Sequence, residues 1–221
     1  MKTVLITGGT VRLGKAIAER LRAEGWRVIT SSHRADAGAD IVADLAESMG
    51  AAKLYAAALQ MLSGNPPDAL VNNAALFTGD EAEIRAVNLE APKKLTMMMA
   101  GRETGVGAVV NVLDAAASDS SSSSNSRSSS QAGRGYLDSK SELRAFTLSS
   151  AATFAATLRV NGVAPGPVMA PTDVHEQAGA MLLDRRPTAD DVAAAVSYLL
   201  GAEATTGAII PVDAGQHLLE A

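Results

Sequence analysis

The sequence predicts a single α/β domain of three layers, in which helices cover both faces of a doubly wound parallel sheet. Short apolar runs typical of buried strands alternate along the chain with longer segments whose apolar residues recur at helical spacing. This alternation is typical of parallel sheets, and 221 residues fit one such domain better than two. The predicted strands span residues 2–7, 27–31, 39–43, 69–71, 106–113, 158–163 and 208–212, and the predicted helices span 13–24, 46–62, 81–99, 136–156 and 189–200.

The first predicted strand leads through a turn at Gly8 and Gly9 into a helix. Leu13, Ile17 and Leu21 recur every four residues and mark the core-facing side of that helix. Glycine permits a tight turn and a close approach of a ligand to the backbone, and the start of a helix favours anions. The pattern therefore predicts a phosphate-binding corner, although an ordinary strand-to-helix turn would look the same.

The second predicted strand ends in Ser31-Ser32-His33-Arg34. The segment up to this point has the length of one half of a Rossmann-like dinucleotide-binding fold. A carboxylate at the strand end would favour NAD by accepting hydrogen bonds from the adenosine ribose, and none stands there. Arg34, with His33 and the two serines, instead offers positive charge and donors to a 2′-phosphate. We therefore expect NADP (NADPH) as the cofactor; the alternative is a solvated basic turn.

Tyr136 and Lys140 lie four residues apart on one predicted helix, so their side chains share a face. An ammonium close to a phenol stabilises the phenolate form, and an oxidised, positively charged nicotinamide would act in the same direction. Tyr136 is therefore a candidate proton donor or acceptor in carbonyl, imine or alcohol chemistry. The helix follows the fifth predicted strand and begins at the ligand-binding edge of the sheet, which favours this interpretation over an exposed pair of side chains.

Five motifs occur in order along nearly the whole chain. They are Thr7-Gly8 through Gly14, Asn72-Asn73-Ala74, Tyr136-x-x-x-Lys140, Pro165-Gly166 and Val212-Asp213-x-Gly215. Together they resemble the pattern of the short-chain dehydrogenase/reductase family. This resemblance implies an NAD(P)-dependent single-domain oxidoreductase, often tetrameric. It also implies that Asn88 helps to hold a proton-relay water near Lys140 and that Asp44 contacts the adenine ring.

Three features of the sequence restrict the resemblance to one group within this family. Arg12 stands where the family usually has the middle glycine of the first motif, and Phe77 follows the Asn-Asn-Ala turn by three residues. Asp114 stands three residues after Asn111, where the usual catalytic residue of the family is a serine. All three resemble the pteridine reductases and the related bacterial dihydromonapterin/dihydrofolate reductases, and the turn after the second strand looks like their NADPH-selecting turn.

These features are chemically consistent with a pterin substrate. A flat pterin ring can stack between Phe77 and the nicotinamide, while Arg12 contacts both a cofactor phosphate and a pterin nitrogen or oxygen. Reduction of a ring C=N requires a hydride on carbon and a proton on nitrogen. Asp114 with Tyr136 can supply and relay that proton, while Lys140 positions the ribose. The leading hypothesis is therefore an NADPH-dependent reductase of a dihydropteridine, dihydrobiopterin or dihydrofolate-like substrate.

The candidate site divides into three groups of residues. The expected catalytic residues are Asp114, Tyr136, Lys140 and Asn88. The expected substrate-binding residues are Arg12, Phe77, Asp114 and Tyr136. The expected cofactor-binding residues are Gly8, Thr10, Arg12, Leu13, Gly14, Ser32, His33, Arg34, Asp44, Leu45, Asn73, Ala74, Ala75, Tyr136, Lys140, Pro165 and Gly166.

Two other functions stay open at this point. The first keeps the enzyme class and changes the substrate to a ketone, such as a 3-oxoacyl thioester or a sugar. The second is a sensor or scaffold that binds NADP without turnover. Its best support is the serine-rich stretch 118–130, which has no apolar residue to bury and is expected to be a mobile insertion. The intact set of Tyr136, Lys140 and Asn88 argues against the second.

Composition excludes several classes of protein. Without cysteine there are no disulfides or thiolate metal sites, and a net charge of −5 gives no footprint for nucleic acid. His175 and His217 have no partners at metal-ligand spacing and are expected to be surface residues, so no metal is expected. No segment is long and apolar enough to span a membrane, and no signal peptide is evident. A cytoplasmic protein acting on a small molecule is the simplest expectation.

Two further expectations concern assembly and access to the site. The Met97-Met98-Met99 run and the long helix after Tyr136 resemble the family's tetramer interface, so a homo-oligomer, a tetramer, is expected. Residues 170–186 are expected to be irregular and to form a lid over the site.

Overall fold

Strands and helices alternate along the chain as the sequence predicts. The computed structural model describes residues 1–103, 105–117, 131–168 and 180–219. The strands are β1 (Thr3–Thr7), β2 (Arg27–Ser32), β3 (Ile41–Val42), β4 (Ala69–Asn72), β5 (Gly107–Val112), β6 (Leu158–Pro165) and β7 (Ile209–Val212). The helices are α1 (Arg12–Ala23), α2 (Gly50–Met61), α3 (Glu81–Arg85), α4 (Ala91–Ala100), α5 (Gln131–Thr153) and α6 (Ala189–Gly201).

All seven strands join one parallel sheet in the order β3-β2-β1-β4-β5-β6-β7. The order reverses between β1 and β4, because the chain builds the sheet outward from β1 in one direction and then outward from β4 in the other. In such sheets, ligands bind at the carboxyl ends of the strands next to this reversal. The predicted doubly wound architecture is therefore confirmed, and it places the glycine-rich turn after β1 at the ligand-binding edge.

Two apolar cores lie on opposite faces of the sheet, and this gives the three predicted layers. On one face Val4 and Ile6 of β1 pack with Ile17 of α1 and Val196 of α6. Leu5, whose side chain points to the other face, belongs to the core that also contains apolar residues of α2 and α4. Because successive side chains in a strand alternate between faces, strands buried on both sides are continuous apolar runs, as in β1.

Some predicted boundaries were wrong. The third strand has only two residues, and α2 begins at Gly50 rather than at residue 46. A turn precedes it, in which Asp44 Oδ1 accepts the amide of Ala46 at 2.9 Å. The helix predicted from residue 136 begins at Gln131 instead. The serine-rich stretch 118–130 and residues 170–179 of the predicted lid lie outside the described residues.

The helix predicted at 81–99 is divided into three parts. Helix α3 is followed by a π-helical turn, Ala86–Glu90, and then by α4. Pro92 stands in the first turn of α4 and has no amide hydrogen to donate to the carbonyl of Asn88, four residues earlier. The widened turn places Asn88, which is fully buried, in contact with the loop after β4. Of the helices in the described residues, none is long and apolar enough to cross a membrane.

Candidate active site

Hydrogen bonds from the end of β4 fix the shape of the glycine-rich turn. The Asn73 side-chain amide donates to the carbonyls of Thr7 at 2.9 Å and Gly8 at 3.1 Å. The hydroxyl of Thr7 in turn accepts the backbone amides of Asn73 and Ala74, both at 3.0 Å. The predicted cofactor residues Asn73 and Ala74 therefore hold the turn in place from behind and leave its outer side open.

The turn itself has the properties of a phosphate cradle. A Cβ atom at Gly14 would lie 2.1 Å from the carbonyl oxygen of Gly8, so α1 can approach the turn only with glycine there. Thr10 Oγ1 is buried and has no hydrogen-bond partner among the described residues. The N-cap of α1 is Val11, which cannot cap the first amides with its side chain. Arg12 follows with a left-handed φ of 48°.

A cavity of about 160 Å³ opens between the glycine-rich turn and the loop after β2. The cavity borders the glycine-rich turn and the residues on either side of Ser31–Arg34, the segment assigned to the 2′-phosphate. Its lining residues are Gly9, Thr10, Lys15, Glu19, Arg22, Thr30, Ala37 and Gly38.

The side chain of Arg34 in this loop is paired with Asp36, which the sequence analysis missed. Arg34 Nε donates to Asp36 Oδ1 at 3.0 Å and Nη2 to Oδ2 at 2.8 Å. This pairing, together with the neighbouring His33, lowers the pKa of the Asp36 carboxyl. Ser32 Oγ accepts the backbone amide of Arg34 at 3.1 Å and orders the start of the loop. The only sequence signal for this pair is a carboxylate two residues after the arginine.

The structure brings Asp114 and Tyr136 together although 22 positions separate them. The hydroxyl of Tyr136 donates to Asp114 Oδ2 at 3.0 Å. The other carboxylate oxygen of Asp114 accepts the amide of Ala116 at 2.8 Å, which fixes the orientation of the carboxylate. Asp114 follows the end of β5 and Tyr136 lies in α5, so the pair forms at the carboxyl edge of the sheet. It can donate or accept a proton there.

Lys140 lies beneath this pair and is almost completely buried, with 2% of its surface exposed. Its Nζ donates to the carbonyl of Val112 at 2.7 Å and lies 5.8 Å from the centre of the Tyr136 ring. Burial lowers the pKa of Lys140 to about 8, while the charge of Asp114 acts in the opposite direction. A positive charge is therefore present next to Tyr136 below about pH 8, as the spacing of the two residues predicts.

The Phe77 ring packs against Tyr136 and is half exposed, with a centroid distance of 4.9 Å and an angle of 56° between the planes. Asn88 holds this loop from the inside. Its Oδ1 accepts the amide of Leu76 at 2.7 Å, and its Nδ2 donates to the Leu76 carbonyl at 2.9 Å and to Ser139 Oγ at 3.2 Å. The Asn88 side chain thus connects the position of Phe77 to α5, a contact that the sequence analysis did not anticipate.

The remaining predicted cofactor residues also lie at the carboxyl edge. Leu13 and Leu45 turn their side chains toward the two cores, so only their backbones can face a ligand. Ala75 is exposed after β4. Pro165 ends β6, and Gly166 follows it. The backbone of Gly166 lies so close to Asp213, just after β7, that a Cβ at this position would lie 2.7 Å from the Cβ of Asp213.

The prediction for His217 was wrong in one respect, because this histidine has a carboxylate partner. Asp213 Oδ2 lies 2.8 Å from His217 Nδ1 and also accepts the backbone amide of His217 at 2.7 Å. Asp213 therefore acts as a cap for the 3₁₀ turn Gln216–Leu219. His175 lies outside the described residues. Among the described residues there is no cluster of three or more side chains that could hold a metal ion.

The sequence and the fold of this chain are similar to those of known proteins. A family model described as short chain dehydrogenase matches residues 2–182, and the chain belongs to that family. A putative ketoacyl reductase of the granaticin polyketide synthase of Streptomyces violaceoruber is 31% identical, over 97% of this chain and 96% of that protein. Pteridine reductase 1 of Leishmania tarentolae is 27% identical, over 98% and 96%. The crystal structure of FolM alternative dihydrofolate reductase 1 from Brucella suis, in complex with NADP, superposes with a TM-score of 0.82 at 30% identity, covering 98% and 95%.

Proposed function

We propose that this protein is an NADPH-dependent reductase of a pterin-type substrate, such as a dihydropteridine, dihydrobiopterin or dihydrofolate. The observation that carries the proposal is the group formed by Asp114, Tyr136 and Phe77. A hydrogen-bonded phenol–carboxylate pair, 3.0 Å apart, lies directly against a half-exposed aromatic ring at the ligand-binding edge. The pteridine and dihydrofolate reductases among the similar proteins support the same substrate class.

The cofactor is NADP(H), and the residues present suit it. The cradle at Gly8 and Gly14 suits a pyrophosphate, as does the hydroxyl of Thr10, which has no partner in the part of the chain that the structure describes. Arg34 provides the positive charge that a 2′-phosphate requires, and His33 stands next to it in the chain. When bound, NADPH supplies the hydride for the reduction.

The residues of this chain supply the proton. As the ring carbon of a C=N group gains a hydride, its nitrogen gains a proton, and the hydroxyl of Tyr136 is the donor at this edge. Asp114, which accepts a hydrogen bond from that hydroxyl at 3.0 Å, orients it and, after the transfer, relays a proton from solvent to the tyrosinate. The ammonium of Lys140 stabilises the tyrosinate that is left after donation. Its hydrogen bond to Val112 places this charge below the ring.

Phe77 supplies an apolar face on which a flat, nitrogen-rich ring can stack. Because Asn88 clamps the backbone of Leu76 through two hydrogen bonds, the ring does not need the substrate to hold it in position. Arg12, at the start of α1, can donate to the cofactor phosphate and to the polar edge of the pterin.

The test is an NADPH-oxidation assay with dihydrobiopterin, dihydrofolate and a 3-oxoacyl thioester in parallel. We expect turnover with the pterins, and a loss of roughly 100-fold or more in Tyr136→Phe with NADPH affinity retained. Tyr198→Phe is the matched control, because Tyr198 is exposed on α6 and loses the same hydroxyl. Unchanged turnover in Tyr136→Phe would rule out its catalytic assignment.

A ketone substrate is the second candidate, and the 31% identity to a putative ketoacyl reductase favours it. The same assay separates the two. If only the thioester is turned over, the roles proposed for Tyr136 and Lys140 still apply, but stacking of a pterin on Phe77 is excluded. In the pterin case, Phe77→Ala should lower pterin turnover sharply. NADPH binding without turnover of any substrate would instead indicate a sensor or scaffold.

The proposed assembly is a homotetramer that associates through α4 and α5. Met97 on α4 and Leu148 on α5 are large apolar side chains that are about half exposed in the isolated chain. Light scattering after size-exclusion chromatography tests this assembly, and Met97→Glu should shift the mass toward smaller species.

A further inference from the structure

In the loop after β2, a carboxylate of the protein already occupies the arginine that is proposed to bind the cofactor. Arg34, the residue proposed to bind the 2′-phosphate, already has its guanidinium occupied by two hydrogen bonds from Nε and Nη2 to Asp36, at 3.0 and 2.8 Å. We infer that Asp36 weakens the preference of this protein for NADPH over NADH, because a 2′-phosphate must displace its carboxylate from Arg34. This inference rests on the proposed NADPH-dependent function.

The backbone of the loop places the two side chains next to each other. The amide of Arg34 is held by Ser32 Oγ, and the Arg34 carbonyl accepts the amide of Ala37 at 3.3 Å. The resulting 3₁₀ turn, Ala35–Ala37, ends at Gly38 in the left-handed conformation. Asp36 is therefore fixed within this turn, two residues after the arginine, and its carboxylate meets the planar guanidinium in the bidentate geometry that a phosphate would also use.

The ion pair between Arg34 and Asp36 is weak enough for a phosphate to replace the carboxylate on Arg34. The side chains of Arg34 and Asp36 are 62% and 71% exposed, and ion pairs this accessible to water are weak. A phosphate monoester carries between one and two negative charges at neutral pH, so it can replace a carboxylate with a single charge. The displaced carboxylate of Asp36 still lies near the phosphate and near His33. The repulsion between the carboxylate and the phosphate lowers the affinity for NADPH.

NADH provides the internal contrast. Its adenosine ribose has a hydroxyl at the 2′ position, so it neither requires the Arg34 guanidinium nor meets a strong repulsion from Asp36. The carboxylate should therefore reduce the affinity for one cofactor and leave the other nearly unchanged. Asp36 is thus a specificity-determining residue that acts through Arg34.

The experiment measures the dissociation constants of NADPH and NADH for the full-length chain by nucleotide fluorescence. Asp36→Asn removes the charge and retains the size of the side chain. We expect NADPH to bind roughly two- to fivefold more tightly, since exposed ion pairs are worth about this factor, and NADH to change by less than about twofold. Glu103→Gln is the control, because Glu103 is an exposed acid in the loop before β5, at the opposite edge of the sheet.

The double variant Arg34→Ala/Asp36→Asn tests whether Asp36 changes NADPH affinity through Arg34. If Asp36 acts through Arg34, Asp36→Asn will give little or no gain in NADPH affinity once the guanidinium is absent. A full gain in the Arg34→Ala background, or no gain in the otherwise native protein, would overturn the inference. The proposed function fails separately: in that case neither nucleotide binds, or Arg34→Ala weakens NADPH and NADH equally.

Discussion

Replacing Lys140 with methionine should stabilise the cofactor-free protein while it abolishes turnover. The ammonium is 2% exposed, and burial lowers the pKa of Lys140 from 10.5 to about 8. At about 1.4 kcal/mol for each pH unit, this difference corresponds to about 3 kcal/mol by which the charge opposes folding at neutral pH. The variant removes this cost, and methionine fills a similar unbranched volume.

Part of the gain is offset by a lost hydrogen bond. Lys140 Nζ donates to the carbonyl of Val112 at 2.7 Å, and a hydrogen bond to a charged group contributes about 1.5 kcal/mol or more. The expected net stabilisation of Lys140→Met at pH 7 is therefore about 1–2 kcal/mol. Lys53→Met is the control, because Lys53 is 65% exposed in its pair with Glu47 and should show no comparable effect.

The pH dependence of this stabilisation tests whether the buried charge of Lys140 is its cause. Between about pH 8 and 10.5 the unfolded chain retains the proton on Lys140 while the folded chain has lost it. The unfolded state then binds more protons, so the stability contributed by this residue rises with pH across that window. Urea denaturation of both proteins at pH 7 and pH 10 measures this. The advantage of Lys140→Met should be present at pH 7 and disappear by pH 10. A variant that is less stable than the native protein at pH 7, or a difference that does not depend on pH, would refute this explanation.

Three further substitutions test other parts of the edge. Asn88→Ala should cost about 2–4 kcal/mol in urea denaturation, because it removes three hydrogen bonds made by a fully buried side chain; the exposed Asn65→Ala, with one bond to Leu62, should cost under about 1 kcal/mol. Ala214→Gly should raise stability by about 0.5–1 kcal/mol, seen as a higher melting temperature, because Ala214 has a left-handed φ of 56°. Arg12→Gly should change the free energy of unfolding by less than about 1 kcal/mol, whereas NADPH affinity, measured by fluorescence titration, should fall by roughly tenfold.

Much of the site could be predicted because parallel strands bring their carboxyl ends to one edge. The turn after β1, Asn73 after β4 and Asp114 after β5 each follow an apolar run, so their meeting follows from the order of the strands. Tyr136 joins them because its helix packs beside the same edge. Apolar periodicity also predicted each of the seven strands, with the largest error at β3, where two residues replace the expected five.

Contacts that depend on loop geometry could not be predicted in this way. The pairing of Arg34 with Asp36 requires a 3₁₀ turn, which has no apolar period to indicate it. The Asn88 contacts require the widened turn before Pro92, and an unbroken helix would point this side chain elsewhere. In both cases the sequence contains the polar groups, but tertiary structure decides which partner each one meets.

At the carboxyl edge, two residues of the proposed site, Arg12 and Lys140, depart from the rules that most of the chain follows. In the described residues, three non-glycine residues have positive φ, and one of these, Ser63, lies beside Gly64 just after α2, where left-handed residues are ordinary. Arg12 has no such explanation, because it stands at the start of α1 rather than after a helix. Lys140 likewise brings a positive charge into a buried position, with 2% of its surface exposed. Conformational and electrostatic costs of this kind persist where function requires them. Relieving either cost should therefore separate stability from activity, whereas a purely structural residue would lose both together.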